Sequence, residues 1–263
     1  MKIAVLAKQV IDPETPLSAF KIDPDAKRVV IPPNLPPVVN GFDEQAVEAA
    51  LRVKEAQADV SIAVITAGAS FAPDVVKKPL AMGADQLVLI EDPLFDANPD
   101  PLLAIDALAA AVRRLGGVEL VIAGRQASDW DNAQVPIGVA EALGWPIATV
   151  CQRVEVSGGK VVVERVMPDG HEVVEAPLPA VVTVSNELGN ARYPNMRGIM
   201  AAKRVEPARW SLDDLGVAPR PPAFELTDLR LPQTAKTTEL IMGEDDADAG
   251  RKLAAAMREA NLL

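Results

Sequence analysis

One cysteine, one histidine, one tyrosine and an aromatic content of 3% leave this chain with little side-chain chemistry of its own. Cys151 alone excludes an internal disulfide and points to a reducing compartment, read here as the bacterial cytoplasm. His171 alone excludes multi-histidine metal sites and Ser-His-Asp triads with a base to spare. No apolar run reaches the roughly 18 residues of a spanning helix. The opening "MKIAVLAKQVID" turns polar too early for a signal peptide and reads as a first strand. There is no P-loop, no G-x-G-x-x-G fingerprint and no G-x-S-x-G elbow. Positive charge is also short: 26 Lys and Arg stand against 37 Asp and Glu, a net −11, which argues against a nucleic-acid binder.

What is present is apolar and patterned. The 263 residues, 49% of them hydrophobic, suit one large domain, or a domain plus an appendage. Four continuous apolar runs, "KIAVLAKQV" (2–10), "VSIAVITAG" (60–68), "QLVLIED" (86–92) and "ELVIAGRQ" (119–126), read as strands covered on both faces. Helical patterns separate them. "DEQAVEAALRVKEAQA" (43–58) sets Ala46, Val47, Ala50, Leu51 and Val53 on one stripe, with Asp43 placed to cap it. "APDVVKKPLAMGA" is shorter, "PDPLLAIDALAAAVRRLGG" is closed by Gly116, and "DNAQVPIGVAEALG" has Pro136 early and Gly144 past its end. This alternation predicts an α/β fold with a doubly wound, mostly parallel sheet. From 148 to 185 three β-rich runs joined by "SGG" and "PDG" predict an antiparallel meander. Beyond Ser185 a Gly/Pro/Asn-punctuated loop leads to a short helix, a Pro-rich stretch and a closing amphipathic helix, "DADAGRKLAAAMREANLL". That extended C-terminal arm packs either on its own domain or on a partner. The predicted divisions are 1–190, a nucleotide-binding domain; 191–205, a loop and helix; and 206–263, the arm.

In open α/β sheets ligands bind beyond the carboxyl ends of the strands, so residues 8–12, 66–69 and 124–135 should converge. The stretch "GRQASDWDNAQVPIG" (124–138) runs from a strand-ending glycine into a helix whose N–H groups favour a phosphate. Arg125 is its only cation, and Asp129 and Asp131 oppose a polyphosphate at contact distance. They suit either ribose hydroxyls or capping of the helix. A single phosphate on backbone amides, Asn132, Gln134 and Arg125 is tolerated.

Six blocks then carry a family resemblance: "AVLAKQVID", "NGFDEQAVEAALRVKE", "PLAMGAD", "LVIAGRQASDWDNAQV", "LPAVVTV" and "ARYPNMRGIMAAK". In order and spacing they resemble the β (small) subunit of electron transfer flavoprotein over essentially the whole chain. The resemblance implies an adenine-nucleotide α-hydrolase-like fold and an electron carrier, not an enzyme, with no catalytic residue. It implies a heterodimer whose α subunit holds FAD, fed by acyl-CoA dehydrogenases in fatty acid β-oxidation and drained by a membrane quinone oxidoreductase. It also implies a buried structural AMP. The matching positions are Leu6, Asn40, Gly41, Phe42, Asp43, Ala67, Gly124, Arg125, Gln126, Ala127, Ser128, Asp129, Trp130, Asp131, Asn132, Ala133, Gln134 and Val135.

Electron-bifurcating relatives hold a second FAD in that place, with Gly and Thr where this chain has Trp130 and Asn132; the bulk of Trp130 favours AMP. Pro13 replaces a Tyr that some relatives set near the flavin. Phe42 either keeps that aromatic role or staples the helix that follows. "RYPNMRGIM" matches the recognition loop that anchors in a partner dehydrogenase: Met196 stands where the anchor is usually Leu, with Tyr193, Arg197, Ile199 and Met200 around it. The basic cluster that follows in relatives is reduced here to Lys203 and Arg204. The arm would wrap the α subunit through Phe224, Leu226 and Leu231.

Overall fold

The computed structural model describes residues 1–30, 35–97, 100–232 and 238–263. Pro99, the first residue of the "PDPLLAIDALAAAVRRLGG" pattern, and residues 233–234, the end of the Pro-rich stretch 218–234, lie outside them. Along the chain come β1 (Lys2–Leu6), β2 (Gln9–Val10), β3 (Lys21–Asp23), β4 (Arg28–Val30), β5 (Val38–Val39), α1 (Gly41–Ala56), β6 (Ser61–Gly68), α2 (Pro73–Val76) and α3 (Lys78–Met82). Then follow β7 (Gln86–Glu91), α4 (Leu94–Ala97), α5 (Pro101–Leu115), β8 (Val118–Gly124), α6 (Val135–Leu143), β9 (Ile147–Ser157), β10 (Lys160–Met167), β11 (Gly170–Pro177), β12 (Ala180–Val184), α7 (Met196–Arg204), β13 (Ala208–Trp210) and α8 (Asp246–Glu259).

Nine strands form one sheet in the order β11-β10-β9-β12-β8-β1-β6-β7-β13. The continuous apolar runs are explained by alternation between two buried faces. Ile3, Val5, Ile62, Val64, Leu120 and Ile122 turn toward the α1 side, while Ala4, Leu6, Ile65, Val121 and Ala123 turn toward α5 and α6. Each large side chain fully withdrawn from water here contributes about 1.5–3 kcal/mol relative to an exposed one. Helix ends follow local chemistry. Asp100 Oδ1 accepts from Leu102 N at 2.9 Å at the start of α5, and Gly144 closes α6 in the left-handed region at φ 69°.

The predicted meander holds for β9–β10–β11 but not for its end. Ala180–Val184, taken from the sequence as the tail of the third run, is a separate strand. It inserts parallel between β8 and β9 with all five residues buried. Its apolar pattern cannot name its partner, because β8 lies some sixty residues earlier. The sheet also continues past the predicted boundary at 190: β13 pairs parallel with β7, and Arg114 stacks on Trp210 at 5.1 Å from the ring centroid.

The described chain divides into two units, Met1–Leu229 and Arg230–Leu263. Within the first, the opening of the arm is tied to α5, since Arg220 pairs with Asp106 at 3.1 Å and Ala223 N donates to Asp100. The second unit carries α8, capped by Asp245, whose Oδ1 accepts from Asp248 N at 2.7 Å. Leu240, Met242, Leu262 and Leu263 are exposed there.

Candidate functional site

β1 sits at the switch point of the sheet. From it the chain winds outward through α1 to β6 and β7, then crosses back through α5 to β8 on its other side. The carboxyl ends of β8, β1 and β6 are thus neighbours. The exits of β1 and β8 part, Ala7 N donating to Ile65 O at 3.0 Å and Arg125 N to Val184 O, which is where such a sheet places its ligand crevice. Leu6 is buried at the end of β1 and Ala67 half-buried at the end of β6.

Two buried side chains at the start of α1 knit these exits together. Asn40 Nδ2 donates to Gln126 O at 2.8 Å, and its Oδ1 accepts from Ser128 N at 3.2 Å. Asp43 Oδ2 accepts from Lys8 N at 2.8 Å and its Oδ1 from Gly124 N at 3.1 Å. The expected capping role of Asp43 is therefore corrected. The helix opens two residues earlier, at Gly41, and the Asp43 carboxylate is taken by the exits of β1 and β8. Burial pushes that carboxyl up to about 7, against the pull of the Lys8 and Gly124 N–H groups and Asn40 toward the ionised form.

Gly124 is required by close approach. A Cβ there would lie 2.5 Å from Asp43 Oδ1 and 2.6 Å from Phe42 Cβ. Arg125 N donates to Val184 O at 2.9 Å, and its guanidinium lies 4.7 Å from the Phe42 ring centroid. Phe42 is thus held under a cation. The buried Arg125 Nε and Ser128 Oγ have no protein partner, so the loop keeps a donor and a hydroxyl in reserve.

Asp129 and Asp131 do not cap α6, so that reading is overturned. Asp129 Oδ2 pairs with Lys8 Nζ at 2.6 Å, and Asp131 Oδ1 accepts from Gln126 Nε2 at 2.8 Å. Lys8, 121 positions away, offsets one of the two charges that made the loop look hostile to an anion. Asp131 and Ala133 sit at φ 50° and 53°, a conformation unfavourable for alanine, and Asn132 Oδ1 accepts from Gln134 N at 3.3 Å. At the start of α6, Val135 and Ile137 carry N–H groups beyond reach of intrahelical carbonyls, whereas Pro136 has none. Gly41 and Gln134 are exposed, Ala127 is half-buried, and Trp130 is 46% exposed. The unpartnered Arg125 Nε and Ser128 Oγ and the first amides of α6 are chemically suited to a single phosphate, while the bare Cα of Gly124 makes room for the start of α1.

The second group of predicted residues lies elsewhere, at the start of α7. Tyr193 is 93% exposed and Met196 73%; Arg197 and Met200 are also exposed, and Ile199 is half-buried. Met196 is the first residue of the helix, and Asn195 Oδ1 accepts from Gly198 N at 2.8 Å to cap it. Sequence reasoning missed what holds this loop. Arg192 Nε donates to Glu48 Oε2 at 2.8 Å, and its other nitrogens reach Glu48 and Glu55. Arg52 Nε donates to Glu48 Oε1 at 2.9 Å and its Nη1 to Leu188 O at 3.1 Å. Burial opposes the charge on Glu48, but its hydrogen bonds from Arg192 and Arg52 hold its pKa below the usual range. Their only trace in the sequence was the i, i+4 and i, i+7 carboxylate-and-arginine spacing within α1.

Cys151 is buried, and burial pushes its thiol up to about 12. Among the described residues no acidic, His or Cys group could hold a metal, and no helix is long and apolar enough to cross a membrane.

The electron transfer flavoprotein domain family matches residues 29–215. The chain is 40% identical to the electron transfer flavoprotein subunit beta of Megasphaera elsdenii, across 78% of this chain and 76% of that one. The chain belongs to the electron transfer flavoprotein β-subunit family. It is also 37% identical to the subunit beta of Mycobacterium tuberculosis, over 82% of this chain and 80% of the other. The caffeyl-CoA reductase-Etf complex subunit CarD of Acetobacterium woodii is 32% identical along the full length of both. A role in electron transfer follows for this β-subunit family member, and the six sequence blocks named above fall on β1, β8 and their exits, on α1, on α3, on β12 and on the α7 loop.

Proposed function

We propose that this chain pairs with an α subunit and holds one AMP as a structural element at the exits of β1 and β8. In this reading it supports the FAD held mainly by the α subunit and docks acyl-CoA dehydrogenases through Met196, passing electrons toward a quinone oxidoreductase. The observation that carries the nucleotide is the knot of Asn40, Asp43 and Gly124. It fixes a crevice lined by Arg125 and Ser128 with buried polar atoms to spare. Bound flavin supplies the redox chemistry; the residues of this chain bind, orient and exclude water. Lys8 balances Asp129, leaving Arg125, Ser128 and the first amides of α6 for the phosphate. The arm, with Phe224 45% and Leu231 39% exposed, supplies apolar surface for the α subunit.

Acid extraction of the co-purified heterodimer, followed by chromatography, tests this. One AMP and one FAD per heterodimer support it. Two FAD and no AMP would assign the pocket to a flavin of the bifurcating type, and absence of any nucleotide beyond the α-subunit FAD would overturn the nucleotide site.

A further inference from the structure

Beside the α7 loop lies a groove of about 430 Å³ that no role above uses. Its walls are Val38 and Val39 of β5, Val75 of α2, Ala81 of α3, and Ile199 and Ala202 of α7. Tyr193 and Pro194 also line it, so the exposed ring of Tyr193 stands at its lip without being packed. The rim carries Lys77, Lys78 and Lys203 against the single carboxylate of Asp74. Lys78 is paired with Glu44, and Lys77 Nζ donates to the Lys203 carbonyl at 3.3 Å. Lys77 and Lys203, and Arg197 and Arg204 on the same helix, have no acidic partner among the described residues. A chain with a net charge of −11 thus gathers unneutralised cations around one apolar groove. Lys77 comes from a part of the sequence remote from α7, and it adds to the positive charge that Lys203 and Arg204 alone supply thinly.

We infer that this groove receives a segment of the docked dehydrogenase: an apolar side chain entering between Val75 and Ile199, flanked by carboxylates that meet Lys77 and Lys203. Docking is then reciprocal, with Met196 projecting outward and the partner projecting inward on the same face. An apolar floor supplies affinity while the charged rim steers approach and sets specificity. This rests on the docking reading above, and the experiment separates the two.

The intact heterodimer is titrated with an acyl-CoA dehydrogenase reduced by its acyl-CoA substrate, and flavin reduction is followed. Three variants are compared: Lys77→Glu with Lys203→Glu, Val75→Gln, and Met196→Ala. The charge reversal should raise the half-saturating dehydrogenase concentration by about tenfold and flatten its salt dependence. Val75→Gln should raise it with the salt dependence intact. Flavin content and melting temperature should stay as in the parent for all three variants. If Met196→Ala weakens docking while both groove variants stay within twofold of the parent, the groove is excluded and the loop reading stands. If none of the three changes docking, the loop reading falls and the groove with it. A benzophenone side chain placed at position 75 gives a second measurement. Cross-linking to a dehydrogenase segment with Asp or Glu beside an apolar residue supports the inference. Cross-linking to the α subunit, to a second copy of this chain, or to a segment without acidic residues overturns it.

Discussion

Gly124→Ala is the sharpest test of how the crevice is built. The new methyl would stand 2.6 Å from Phe42 Cβ, 2.8 Å from the Phe42 carbonyl carbon and 2.5 Å from Asp43 Oδ1. Carbon atoms rest at about 3.5–4.0 Å, so the start of α1 must retreat by about 1 Å. Phe42 C is backbone, and no rotamer change relieves the clash. The retreat stretches the Gly124 N bond to Asp43 and carries Asn40 away from Gln126 and Ser128. Overpacking of this kind costs about 1–3 kcal/mol, and a loosened buried hydrogen bond adds about 1 kcal/mol. A total of about 3 kcal/mol corresponds to a fall in melting temperature of roughly 6–10 °C for a chain of this size. Gly41→Ala is the control for melting alone, because a Cβ at Gly41 meets no protein atom within 4 Å. It sits at the first position of the same helix and should leave the melting temperature unchanged or slightly raised. Both variants are purified as heterodimers, melted by calorimetry and extracted for AMP. The expected result for Gly124→Ala is a lower melting temperature together with substoichiometric nucleotide. Parent-like melting with full nucleotide would refute the claim that close packing of Gly124 on Phe42 and Asp43 shapes the crevice.

Asp43 sets a pH dependence whose sign follows from its raised pKa. The unfolded carboxyl ionises near 3.8 and the folded one near 7, so between those values the folded chain binds the proton more tightly. The contribution of this group to stability is therefore present at low pH, declines as pH rises from about 4 to 7, and is flat above, with a span on the order of 4 kcal/mol. Asp43→Asn cannot titrate. The stability gap between parent and variant, measured by urea unfolding, should narrow across that window, and a constant gap would show the carboxylate ionised throughout. Arg192→Met leaves the buried Glu48 with only Arg52 as a charged donor, at a local cost of about 1–3 kcal/mol. Hydrogen exchange of residues 188–195 should accelerate by about tenfold or more while the sheet keeps its protection. Arg192→Lys should recover part of that protection, since it restores the charge without the fork. Unchanged exchange in the Met variant would exclude the anchoring role.

The legible parts of this fold were those fixed by local periodicity. Runs such as "LVIAG" are apolar at every position because Val121 and Ile122 face different cores, and that doubly covered state shows in the sequence. The hairpins at "SGG" and "PDG" were legible for the same local reason. Strand partners were not. Val181 to Val184 has a strand's composition, but nothing in it distinguishes the edge of a meander from a slot beside β8. β13 is three residues long, too short to show any period. At the exits of β1 and β8 the capping duties read for Asp43, Asp129 and Asp131 were wrong. A carboxylate at the start of a helix usually caps it, and only the sheet exits on either side reveal that Asp43 serves them instead. The Lys8–Asp129 pair spans 121 positions and leaves no local pattern.

α1 joins the two regions that sequence reasoning kept apart. Sixteen residues at 1.5 Å per residue make a rod of about 24 Å. Its first turn holds the crevice through Asn40 and Asp43. Its next turns hold the α3 and α7 side: Glu44 pairs with Lys78 on α3, while Glu48 and Glu55 grip Arg192 at the base of the α7 loop. The stripe between them, Ala46 to Val53, is buried against the sheet, so the rod cannot bend locally to absorb a shift at one end. The nucleotide proposed for the exits of β1 and β8 would therefore act on more than its own site. Bearing on the first turn that Asn40 and Asp43 anchor, it would bias the register of the helix to which the α7 loop is tied. On the proposed reading, that would give a chemically idle nucleotide a physical reason to persist in this subunit.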